Sequence, residues 1–329
     1  MKYKSIIISK KGGPEILQII ENEFRTLKED EVLVKIEACG IGGTDIIMRY
    51  WNYPGTPKIP FVPGYEIVGV VQEIGINVRN IKIGDRVGAL TLFGGYSEYI
   101  YLNQEHLIKV PQLVDSAEAA VVILNYTSAY QMMKKIAKVK EGDHILITGA
   151  SGGVGSALLD IGMLENLKLY GTASLEKHEA LKQFGAFLID YKTQDFVEII
   201  RKEIPKGLDF VFDGIGEGNI RKSYEVLRKG GVLVEYGYSL KSFTYFVKTI
   251  LSLLSGIPKG TKAKGYGISA SYKMNKKPIQ EDIIKLLGLL EEGKIHPLIF
   301  KRMPILKAAE ANTLLESGKV TGNIVLVGE

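Results

Sequence analysis

Apolar and polar positions alternate over Glu31-Val32-Leu33-Val34-Lys35-Ile36-Glu37-Ala38, the period of a half-buried strand. The same reading gives strands at 4–8 and 15–20, joined by the turn cluster Lys10-Lys11-Gly12-Gly13-Pro14, and further strands at 67–74, 86–90, 97–102 and 107–110. Short spacing and turns such as Lys82-Ile83-Gly84-Asp85 make the first third mostly β, with no helical period longer than two turns before Ser116. The character changes at about Pro111. Helices are expected at 116–123, 127–137, 153–165, 175–184, 194–203 and 218–228, interleaved with strands at 144–148, 167–172, 186–189, 209–212 and 232–236. Strands alternating with helices mean βαβ units in a parallel sheet with right-handed crossovers.

At residues 145–155 an apolar run ends in a glycine-rich turn, Ile145-Leu146-Ile147-Thr148-Gly149-Ala150-Ser151-Gly152-Gly153-Val154-Gly155. This reads as buried strand, phosphate loop and helix start, where backbone N–H groups and the helix dipole receive an anion. Set against G-x-G-x-x-G, Gly152 and Gly155 fill the second and third glycine places and Ala150 replaces the first. Further on, residues 243–257 carry a helical apolar stripe flanked by Lys241, Lys259, Lys262 and Lys264. It reads as a helix over a pocket or a subunit contact, with a membrane-surface helix as the alternative. Residues 265–272 read as an edge strand inviting a second subunit. Helices at 280–291 and 306–316 and a strand at 324–327 complete the chain, which has no internal repeats.

Composition narrows the class. At 329 residues, 46% apolar and 24% charged, the chain should form about two soluble domains. The net charge of +5 comes from scattered residues, so no nucleic-acid footprint is indicated. Cys39 is the single cysteine, which excludes intramolecular disulfides and multi-cysteine metal sites and fits a reducing cytoplasm. Its own reading is a small buried residue on a strand. The start, Met1-Lys2-Tyr3-Lys4-Ser5 before Ile6-Ile7-Ile8, has too short an apolar core for a signal peptide, and no apolar run reaches 18 residues.

Six stretches occur in the order of a known superfamily: Gly64-Tyr65-Glu66-Ile67-Val68-Gly69-Val70-Val71, Ile83-Gly84-Asp85-Arg86-Val87, Gly95-Tyr96-Ser97-Glu98-Tyr99, Thr127-Ser128-Ala129-Tyr130, Gly152-Gly153-Val154-Gly155 and Gly322-Asn323-Ile324-Val325-Leu326. Over essentially its whole length the chain resembles the medium-chain dehydrogenase/reductases, in the zinc-free quinone oxidoreductase branch with its zeta-crystallin and synaptic-vesicle-protein relatives. The resemblance implies an α/β protein: a GroES-like β-rich catalytic domain (1–115 and 273–329) and a Rossmann cofactor domain with a doubly wound parallel sheet (116–272). Zinc alcohol dehydrogenases carry Cys-Gly-Thr-Asp and Gly-His-Glu; here stand Gly42-Gly43-Thr44-Asp45 and Gly64-Tyr65-Glu66. Both metal-ligand types are absent, and a catalytic zinc needs three protein ligands. Without zinc nothing obvious turns an alcohol into an alkoxide. The expectation is therefore hydride transfer from a nicotinamide to a quinone, an activated C=C or a reactive carbonyl, with no metal.

NAD-preferring Rossmann sites end their second strand with an acid; Tyr170-Gly171-Thr172-Ala173-Ser174-Leu175-Glu176-Lys177 has Ala173 there. Ser174 and Lys177 suit a 2′-phosphate, so the expected cofactor is NADPH, although Glu176 could turn inward and favour NAD. The resemblance adds Thr127, Tyr130, Tyr191, Asp213, Gly216, Gly237 and Tyr238 to the cofactor contacts; Asp213 reads equally as a helix N-cap. Gly42 stands where quinone oxidoreductases commonly have Asn. Thr44 or Tyr65 is expected to orient the acceptor oxygen, a tyrosine with its ordinary pKa of about 10 acting as donor. Tyr65 reads as well as a filler of the vacated metal cavity. Tyr50, Trp51 and Tyr53 are candidate aromatic walls for a flat substrate, and Asp45 and Glu66 residual parts of a metal shell, held by hydrogen bonds or by Arg49. Alternatives are an aldehyde or alcohol oxidoreductase with the same cofactor, or a weakly active NADPH-binding protein of crystallin-like or membrane-associated type. The expected partners are a small-molecule substrate and a second copy of the chain through the edge strand near 265–272.

Overall fold

The computed structural model describes residues 2–50, 55–216, 218–237 and 260–328. Trp51, Tyr53, Tyr238 and the expected helix at 243–257 lie outside the described residues. The chain forms two compact units, Met1–Thr127 with Asn275–Glu329, and Ser128–Met274.

In the first unit, β1 (Lys2–Ile8) and β2 (Leu17–Glu23) pair as an antiparallel hairpin. β3 (Glu31–Ile41) buries Val32, Val34 and Ile36, as its alternation requires. A helix that the β-rich reading of the first third did not anticipate, α1 (Gly43–Tyr50), follows it and buries Asp45, Met48 and Arg49. Its eight residues are too few for a periodic signal to stand out. β4 (Glu66–Ile74), β5 (Arg86–Leu90), β6 (Tyr99–Asn103) and β7 (Ile108–Lys109) come next, and α2 (Ser116–Val121) runs on through a wide π turn, Val122–Tyr126.

The family motifs have physical jobs here. Gly64, at φ +105°, lies against Gly95, where a Cβ would stand 2.6 Å from Gly95 Cα. The approach needs glycine at 64, and Gly95 is needed on its own account, since a Cβ there would stand 2.7 Å from the Cys39 Sγ. In the Gly84-Asp85-Arg86 turn, Asp85 accepts the Lys82 N–H and pairs with Lys109. Arg86 donates to the carbonyls of Pro111, Gln112 and Val114 and to the Ser116 hydroxyl, holding the approach to α2.

The second unit begins inside α3 (Thr127–Tyr130) and continues with a wide turn Gln131–Ala137, then β8 (His144–Thr148), α4 (Gly153–Leu164), β9 (Lys168–Ala173) and short helical turns over 175–184 that include α5 (His178–Leu181). β10 (Phe187–Asp190), α6 (Phe196–Glu203), β11 (Leu208–Asp213), α7 (Gly218–Val226), β12 (Leu227–Glu235), β13 (Lys262–Gly265) and α8 (Ile268–Met274) follow. The described strands form a parallel sheet in the order β10-β9-β8-β11-β12-β13. The order reverses between β8 and β11, the doubly wound arrangement whose crevice opens at the carboxyl ends of those strands.

The expected edge strand at 265–272 is corrected: the strand is Lys262–Gly265, and Ile268–Met274 is helical. Lys262-Ala263-Lys264-Gly265 is exposed throughout and carries no apolar alternation, so only backbone pairing with β12 defines it. Ile268, Ser269 and Tyr272 are buried at helical spacing.

The chain then returns to the first unit with α9 (Lys276–Glu291), β14 (Ile299–Pro304), α10 (Ala308–Glu316) and β15 (Asn323–Val327). β14 carries no apolar alternation that would announce it; Phe300, Lys301 and Arg302 are exposed. The sheet runs β14-β15-β3-β4-β5-β7, with β6 also on β3. Its core gathers Val32, Val34, Ile67, Val87, Ile324 and Leu326.

Candidate functional site

The turn between β8 and α4 is made by Gly149, at φ +70°. The left-handed residue is therefore one position before Ala150, which was expected to stand in for the turn glycine. The Gly149 N–H donates to the Thr172 hydroxyl, and the Ala150 N–H to the Thr172 carbonyl, pinning the turn to β9. A Cβ on Gly155 would lie 2.3 Å from the Gly149 carbonyl oxygen, so helix and turn approach as only glycine allows. Gly152 is the extended N-cap of α4 and no side chain caps the helix. The first-turn N–H groups of Gly153 and Val154 remain available to an anion, with the positive end of the dipole behind them. This cradle fits a dinucleotide pyrophosphate.

At the carboxyl end of β9, Ala173 is buried and Ser174 is 2% exposed. Asp190, ending β10, accepts from the Thr193 hydroxyl and the Lys192 and Leu175 N–H groups, tying the loop after β10 to the loop after β9. This brings Lys192, which sequence reasoning missed, to Glu176 at 2.8 Å. Lys192 and the Ser174 hydroxyl hold the Glu176 carboxyl down to about 2, while burial lowers the Lys177 ammonium. Tyr191 is exposed beside them. Only the pairing of the two loops could have revealed Lys192.

Asp213 is fully buried at the end of β11 and acts as the anchor of its loop. Its carboxylate accepts from the Thr148 and Ser223 hydroxyls and from the Ile215 and Gly216 N–H groups. Those partners use its side chain internally, closing the turn over 213–216 ahead of α7. The Gly237 N–H donates to the Asp213 carbonyl, and a Cβ on Gly237 would meet the Gly214 carbonyl oxygen at 2.2 Å. Beside Asp213, Glu235 is 1% exposed, and among the described residues the Gly237 N–H is the one group that approaches its carboxylate as a donor. Burial, then the Asp213 charge, push it up to about 9. The Thr127 hydroxyl is buried and donates to the Val122 carbonyl. Tyr130 is largely buried, with Lys135 over its ring.

In the first unit, Thr44 lies half-buried in the first turn of α1, and Tyr65 is buried, its carbonyl accepting from the Thr91 and Leu92 N–H groups. Asp45 accepts from the Gly42 and Gly64 N–H groups, so it ties α1 to the residues entering β4. Burial raises its carboxyl to about 6. Glu66 is raised well above the usual range by burial and then by Asp45, and among the described residues its Oε2 has no partner. Arg49 pairs with Glu316 of α10 and donates to the Gly12 carbonyl. Its ion pair is thus with Glu316 and not with Asp45 or Glu66. Tyr50 donates its hydroxyl to Glu316 at 3.1 Å and packs on Arg49, joining the same network. Cys39 is buried on β3, and burial raises its thiol.

At the two positions where the zinc enzymes of the family carry Cys and His this chain holds Gly42 and Tyr65, and the Asp45 oxygens accept backbone N–H groups. Among the described residues no group of three His, Cys, Asp or Glu could hold a metal ion.

The alcohol dehydrogenase GroES-like domain family matches residues 28–112, and the zinc-binding dehydrogenase family matches 184–326. The human synaptic vesicle membrane protein VAT-1 homolog is 31% identical over 314 residues, 90% of this chain and 79% of that protein. Human quinone oxidoreductase is 29% identical over 324 residues, 96% of this chain and 95% of that protein. The crystal structure of Escherichia coli quinone oxidoreductase complexed with NADPH superposes with a TM-score of 0.88 at 26% identity, over 98% of this chain and 99% of that one. With a GroES-like β unit, a doubly wound unit and relatives along its full length, the chain belongs to the medium-chain dehydrogenase/reductase superfamily, among the relatives of quinone oxidoreductase and the VAT-1 homologs.

Proposed function

We propose that the chain is an NADPH-dependent, zinc-independent reductase of quinones or α,β-unsaturated carbonyls. The observation that carries this reading is the end of β9, where Ala173 replaces the acid that would repel a 2′-phosphate and Ser174, Lys177 and Lys192 gather. The glycine turn binds the pyrophosphate through backbone N–H groups, and the Asp213 anchor fixes the neighbouring loop. NADPH supplies the hydride when bound. Thr44 or Tyr65 donates a hydrogen bond to the acceptor oxygen, where charge develops as the hydride arrives. An acceptor that is already polarised needs no metal to ionise it, in keeping with Gly42 and Tyr65 at the positions where the zinc enzymes carry their ligands.

Finer parts of the reading are a homodimer and a cytoplasmic location. β13 ends the described part of its sheet with exposed residues and offers the edge for pairing. Among the described residues no helix is long and apolar enough to cross a membrane.

Steady-state rates with NADPH and NADH against quinones, enones and aldehydes, with and without a chelator, test the proposal. We expect kcat/KM to be higher with NADPH, to favour quinones or enones over aldehydes, and to be unchanged by EDTA. An equal or higher value with NADH would overturn the cofactor assignment, and loss of activity on chelation would overturn zinc independence.

A further inference from the structure

We propose that Glu176 is an internal stand-in for the 2′-phosphate, occupying that group's donors until NADPH displaces it, and so sets how strongly the protein distinguishes NADPH from NADH. The inference rests on the NADPH reading above and adds a residue that opposes it. The Glu176 carboxylate takes the Lys192 ammonium at 2.8 Å and the hydroxyl of the buried Ser174. It also lies within the field of Lys177. A hydroxyl and an ammonium on one oxyanion, with a second lysine one residue along the loop, is a donor set that suits a ribose 2′-phosphate. Here a side chain of the same loop supplies the oxyanion.

The placement has a structural cause. Asp190 ties the two loops through Leu175 and Lys192, the neighbours of Glu176 and Tyr191, so the pairing of Glu176 with Lys192 follows from the backbone arrangement. The pair remains displaceable. Both side chains are more than half exposed, and exposed ion pairs are weak. A 2′-phosphate brings close to two negative charges against one, so it wins the donors while losing part of its affinity to the competition. NADH has no phosphate with which to displace Glu176. It leaves the pair in place.

The experiment is calorimetric titration of the full chain, wild type, E176Q and E176A, with NADPH, NADH, adenosine 2′,5′-bisphosphate and adenosine 5′-monophosphate. Both variants are expected to bind NADPH and the bisphosphate about two- to fivefold tighter, with no gain for NADH or the monophosphate. Adding K192M to E176Q is expected to abolish the gain, which a merely structural effect of the first substitution would not do. Unchanged or weaker binding of the bisphosphate in both single variants would overturn the stand-in while leaving the NADPH reading intact. A wild type that binds the bisphosphate no better than the monophosphate would remove both.

Discussion

Glu235 shows how burial sets the charge of a single residue. It closes β12 beside the buried Asp213, and burial raises its pKa from 4.5 to about 9. An unfolded chain releases this proton near pH 4.5, whereas the native chain keeps it to about 9. Between those values the native state binds more protons, so its stability falls as pH rises. The contribution is complete below about pH 4.5 and lost as pH climbs through the folded value. Glu235→Gln keeps the shape and cannot ionise in either state. Relative to wild type it should gain on the order of 5 kcal/mol by about pH 8 and less than about 1 kcal/mol at about pH 5. Urea unfolding at the two pH values reads the difference, and a gap independent of pH would contradict it. The neighbours that bury Glu235, Asp213 and Tyr224, come from other elements.

At the scale of elements, the strand, turn and helix over 144–164 were legible because the apolar run and the glycines lie within one local segment. The fine assignment was not. Which glycine takes the left-handed conformation depends on how the turn meets Thr172 of β9, and that meeting selects Gly149. The geometry separates two substitutions. A methyl on Gly155 would press on the backbone of Gly149 and Ala150, whereas one on Gly152 has 3.5 Å to the Gly149 carbonyl oxygen. Gly155→Ala should therefore cost about 1–3 kcal/mol of stability and weaken NADPH binding. Gly152→Ala should leave the melting temperature nearly unchanged and weaken NADPH binding alone, because the methyl stands where the pyrophosphate approaches. Thermal unfolding together with a fluorescence titration of NADPH distinguishes them. Equal melting losses in the two variants would count against this reading of the turn.

At the scale of the whole molecule, each unit has its own sheet and its own buried core, and the second unit carries the cofactor cradle. A ligand that binds the folded state alone stabilises it by mass action. NADPH at a hundred times its Kd should raise the free energy of unfolding of the unit that binds it by about 2.7 kcal/mol. NADH at the same concentration should raise it less. Thermal unfolding with each cofactor measures the order, and a larger shift with NADH would reverse the assignment.

The sequence by itself determined the alternation of strands and helices in the second unit, the glycine turn, Ala173 in the acid's place and the loss of the metal ligands. Each of these is carried by residues close together in the chain, through period or spacing. Tertiary structure alone decided the partners that close each site: Glu316 on Arg49, 267 residues away; Lys192 on Glu176, across two loops; and Asp213 beside Glu235, across neighbouring strands. It also decided that 262–265 is strand and 268–274 helix. Local patterns record which face of an element is buried. Pairings between distant residues depend on the order in which strands enter a sheet, and that order is fixed only when the whole chain has packed.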